Sequence, residues 1–183
     1  PLNFIAVKND LAKKGLLDLA PDFTYNSGKL AALLYKEEIE RALKTPSFDG
    51  FQLLQLQDFP GQGTALVGLL NAFWESKGVI SAEEFSQFNS ELVPLIRFEK
   101  AVYETGETFE ASIEIANFYK ELNNQTIEWA ISDEAGNEVE KGSLNNVNLS
   151  IGNNTGLGVI KYAVDTEEAK KLTITVSLNN TKY

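Results

Sequence analysis

The period of the apolar residues changes near Leu92, and that change limits the folds open to the chain. Beyond it, Phe109, Ala111, Ile113 and Ile115 alternate with Glu110, Ser112 and Glu114. Ile127, Trp129 and Ile131 alternate with Glu128, Ala130 and Ser132, and Leu172, Ile174, Val176 and Leu178 with Thr173, Thr175 and Ser177. A period of two with one polar face buries one side of a strand only, which calls for antiparallel strands over a shared core. Turn residues punctuate the runs at Thr105-Gly106, Ala135-Gly136-Asn137 and Gly152-Asn153-Asn154. About seven short strands at this spacing read as an immunoglobulin-like sandwich, with Trp129 a core residue of a central strand.

Before Leu92 the period is helical. Phe4, Ile5, Val7, Leu11, Leu16 and Leu17 predict a first helix, stopped at Gly15 and followed by a break at Ala20-Pro21. From Ser27, Leu30, Leu33, Leu34, Ile39, Ala42 and Leu43 predict a second, ended by Thr45-Pro46. Phe51 to Leu56 is one strand long. Thr64 is placed to cap a further helix with Leu66, Val67, Leu69, Leu70, Phe73 and Trp74 on its apolar side and Gly78 as its stop. Ser81-Ala82-Glu83-Glu84 is a capping-box sequence opening a short helix to about Phe88. The fold class expected is α+β in two parts, with the boundary between Glu91 and Pro94. No internal repeat or low-complexity tract is apparent.

Composition excludes several functions. The net charge is −10 over 183 residues, with a pI near 4.6. That balance disfavours nucleic acid and anionic membranes, which are bound by clustered Lys and Arg. No run approaches the ~20 apolar residues of a membrane helix. The chain has no His and no Cys, so it holds no Ser-His-Asp triad, no Cys nucleophile and no zinc site of the usual ligands. No cofactor and no metal is expected. It opens Pro1-Leu2-Asn3 without Met, as expected of a processed product or a piece of something longer. No signal peptide is recognised, which leaves localisation undecided, a periplasmic or extracellular parent being one outcome.

The best site candidate is the loop after the predicted strand. Gln57, Asp58, Phe59 and Gln62 gather at the carboxyl end of a strand leading into a helix, where parallel α/β folds bind ligands. Amides and a carboxylate beside an aromatic ring suit sugar hydroxyls. The alternative is that Asp58 caps turn amides while Gly61 and Gly63 permit the turn. Gly61-Gln62-Gly63 lacks the third glycine of a dinucleotide loop. Glu37, Glu38 and Glu40 share a helix with Lys36 and Arg41 and read as a solvated face. Phe73 and Trp74 read as core rather than a sugar subsite. Asp133, Glu134, Asn137 and Glu138 read as a hairpin turn, because the alternating ligands of a calcium loop are missing. The sequons at Asn124, Asn148, Asn153 and Asn179 lie in an Asn-rich region and carry little weight.

The stretch "KLAALLYKEEIERALKTPSFDGFQLLQLQDFPGQGTALVGLLNAFWESKG" resembles the end of the catalytic barrel in a β-galactosidase-like branch of glycoside hydrolase family 2 related proteins, and "GFQLLQLQDFPGQGTALVG" is its most specific part. "LVPLIRFEKAVYETGETFEASIEIAN" resembles the immunoglobulin-like domain that follows the barrel there. The resemblance covers nearly the whole chain and implies that residues 1–91 are the C-terminal piece of a (β/α)8 barrel, with Gly50 to Gln57 its eighth strand. Residues 92–183 would be a sandwich lacking its last strand. A whole barrel takes ~250 residues, so the other strands are expected before Pro1. The family retains configuration through two glutamates ~5 Å apart on earlier strands. No glutamate here fits either position, so catalytic residues are assigned to none, and the chain alone is expected to be inactive. Gln57, Asp58, Phe59 and Gln62 would edge the pocket for a carbohydrate substrate in the parent. The alternative is a noncatalytic carbohydrate-binding or protein-interaction module. Without its neighbours the strand Phe51 to Leu56 is expected to self-associate with the same segment of a second chain or to be absorbed into the helical part.

Overall fold

The computed structural model describes residues 2–62 and 66–178. The chain divides into two units: Pro1–Ile39 with Asp49–Phe85, and Glu40–Phe48 with Ser86–Tyr183. Among the described residues, four helical elements precede the strands: α1 (Leu2–Lys13), a 3₁₀ turn (Leu17–Leu19), α2 (Ala20–Leu43) and α3 (Ala82–Ser86). Gly15 stops α1 in the left-handed conformation, at φ +68. α2 begins at Ala20, at the expected break and earlier than the expected start at Ser27. Pro21 falls in its first turn, where the missing N–H would be unpaired anyway. The capping box at α3 is formed. Ser81 N donates to Glu84 Oε2 at 2.8 Å, and Glu84 N donates to Ser81 Oγ at 3.1 Å.

In the first unit, Ala32 of α2 packs with Leu69 and Val79, joined by Tyr35, Leu56, Ile80 and Phe85. Two expected elements are absent among the described residues. Residues 51–56 form no strand, and Gln57 makes a single parallel bridge with Leu70. A lone strand has no partners for its N–H and C=O groups, and here turns replace it. The helix expected from Thr64 is not seen over 66–78 either; Gly63, Thr64 and Ala65 lie outside the described residues. Asn71 is the reason. Its Oδ1 accepts from Phe73 N at 2.8 Å and Glu75 N at 3.0 Å, and its Nδ2 donates to Glu75 Oε2. These side-chain bonds capture the amides a helix would use.

The second unit carries six strands among its described residues: β1 (Leu92–Phe98), β2 (Thr108–Asn117), β3 (Leu122–Ser132), β4 (Glu138–Leu149), β5 (Gly152–Ala163) and β6 (Thr173–Leu178). They form two antiparallel sheets, ordered β1-β2-β5 and β4-β3-β6. One core lies between them, with Ile113, Ile115, Ile127, Ile131 and Ile160 fully buried. This is a β-sandwich. Trp129 sits on the inward face of central β3, half-buried against that core, its ring over Gly142 of β4. The last turn of α2 belongs to this unit. Leu43 packs on Val93, Leu95 and Ala116, on the outer side of the first sheet. The helix carbonyls there are capped from the strands: Arg97 Nη2 donates to Lys44 O at 2.9 Å, and Asn153 Nδ2 donates to Leu43 O. Arg97 also grips the buried Glu114 with both Nε (2.6 Å) and Nη2 (3.1 Å), and that hydrogen bond raises the guanidinium above its ordinary range.

Candidate functional site

Asp58 is the centre of the loop that the sequence singles out, and it faces inward. Only 7% of the residue is exposed. Its Oδ1 accepts from Gly68 N at 3.0 Å and from Lys77 Nζ at 2.7 Å. Lys77 Nζ also donates to Gly68 O at 2.8 Å. The backbone closes the same knot, with Asp58 N donating to Leu70 O and Leu70 N to Leu56 O, both at 3.0 Å. Through Oδ1 the carboxylate holds three chain segments together. Asp58 ties the loop to Gly68 and Lys77, ten and nineteen residues away, rather than to the amides of its own turn.

The other three residues project from that anchor. Gln57 is half-buried, its backbone pressed against Gly68. Phe59 is 49% exposed and its ring covers Gly61. Gln62 is exposed, with its amide closing a turn onto Phe59 O. Phe59 and Gln62 are both exposed, and Asp58 is buried. Sequence reasoning missed Gly68 and Lys77, because a pair nineteen residues apart leaves no local pattern. Asp58→Ala is expected to cost the first unit ~2–4 kcal/mol, since it orphans a buried amide and a partly buried ammonium. Asp58→Asn keeps an acceptor for Gly68 and should cost about half as much. Urea midpoints read through Trp74 check both.

A groove of about 1080 Å³ adjoins the knot, between α2 and residues 66–79. Pro21, Tyr25, Gly28, Leu34, Val67 and Val79 line it, and Tyr35 Oη donates to Val67 O at 3.0 Å. Its lining is chiefly apolar. Phe73 and Trp74, expected in a core, are largely exposed. In the second unit, a shallow hollow on β4-β3-β6 is lined by Glu128, Trp129, Ala130, Lys141, Ser143, Thr175 and Ser177. A cleft of about 410 Å³ opens among Phe98, Tyr103, Phe109, Tyr162, Leu172 and Ile174 at one end of the sandwich. Asp133 closes the β3–β4 hairpin. The Asn137 side-chain amide, then the Asn137 and Ala135 backbone amides, hold its carboxyl below the usual range.

The family model for a domain of unknown function, DUF8488, matches residues 107–183. Among solved structures the chain is similar to the β-glucuronidase of Parabacteroides merdae, at 13% identity and a TM-score of 0.30. The likeness covers 47% of this chain and 13% of that one. No curated protein matches. No group of three or more acidic side chains that could hold a metal occurs among the described residues.

Proposed function

We propose that the chain is a fragment of a retaining, β-galactosidase-like glycoside hydrolase. Residues 1–91 would be the C-terminal piece of the barrel, and residues 92–183 an immunoglobulin-like sandwich lacking its last strand. The observation that carries this reading is the phrase from Gly50 to Gly68. The exposed apolar side chains of the first unit support it: Leu30, Leu33 and Leu34 on α2, then Leu54, Phe73 and Trp74. An isolated unit gains nothing from showing such a surface, whereas a barrel buries it under neighbouring strands and helices.

In the parent, two glutamates from other barrel strands would carry out the displacement, one as acid and base and one as nucleophile. Gln57, Phe59 and Gln62 would edge the sugar pocket, and Asp58 would hold their loop in place through Lys77 and Gly68. Because no carboxylate pair of that kind is assigned here, the chain alone is expected to be inactive. Assays with chromogenic β-galactosides, β-glucosides and β-mannosides should give no turnover above background. Turnover that survives purification and falls with Asp58→Ala would overturn this. The reading frame upstream of Pro1 should encode further barrel strands with two glutamates. A carbohydrate-binding or protein-interaction module has less support, since Trp129, the one aromatic residue on β3, β4 and β6, packs against the core.

A further inference from the structure

We draw no further inference here: the strongest candidate, the cleft of about 410 Å³ among Phe98, Tyr103, Phe109 and Tyr162 at one end of the sandwich, is a chiefly apolar hollow bordered by the end of β1 and by β6, and nothing in the structure shows what covers it.

Discussion

Gly68→Ala is expected to abolish the ordered knot of the first unit. An added Cβ would lie 2.3 Å from the carbonyl carbon of Gln57, 2.5 Å from Asp58 N and 2.6 Å from Gln57 Cα. All three are backbone atoms, so no side chain can rotate aside. Relief requires the 57–58 peptide and residue 68 to separate. That separation breaks the bond from Gly68 N to Asp58, and strains those joining residue 70 to Leu56 and Asp58. Overpacking alone costs ~1–3 kcal/mol, and each lost bond adds ~1 kcal/mol. A total of ~3–5 kcal/mol is comparable to the whole stability of a small unit.

The measurement is made clean by the two tryptophans, one per unit: Trp74 in the first and Trp129 in the second. In a Trp129→Phe background, urea unfolding followed at Trp74 should move to much lower urea, or lose its transition. Gly50→Ala is the control. Nothing lies within 4 Å of its added Cβ, and its midpoint should stay close to the parent's. Equal midpoints for Gly68→Ala and Gly50→Ala would mean that the backbone approach at Gly68 does not exist in solution.

Gly68 also marks the limit of what the sequence made legible. The sandwich was readable because its information is local: alternation at Phe109 to Ile115 and Ile127 to Ile131 records which face is buried. Gly106, Gly136 and Gly152, the glycines of the expected turns, all adopt positive φ. The capping box at Ser81 was readable for the same reason, since its two bonds span three residues. The 51–78 segment was not. Its apolar pattern suits a strand and a helix, but such elements need covering neighbours that the described residues do not supply. Local chemistry then prevails, with Asn71 taking the amides of Phe73 and Glu75 and Lys77 reaching back to Asp58. For the candidate site, the composition of the loop was legible, but the inward aim of Asp58 was not. That direction depends on a lysine and a glycine distant in sequence.

Arg97→Ala should be the most damaging single change on the outer face of the sandwich. Glu114 is buried there beneath the last turn of α2, and Arg97 donates to both of its oxygens. Removing the guanidinium leaves a buried carboxylate unpaired, which costs ~3–5 kcal/mol in fully buried settings. About half of the Arg97 side chain is exposed, so water can partly replace it, and ~2–3 kcal/mol is expected. The Lys44 carbonyl loses its donor as well, leaving Asn153 as the remaining cap on that helix end. Trp129 fluorescence in a Trp74→Phe background reads this unit. Replacing both partners, Arg97→Met with Glu114→Leu, should recover most of the loss, because a well-packed apolar pair needs no counter-charge. The diagnostic quantity is therefore the coupling between the two positions. Independent, additive effects of the two substitutions would show that the pair is not what holds the helix end to the sheet.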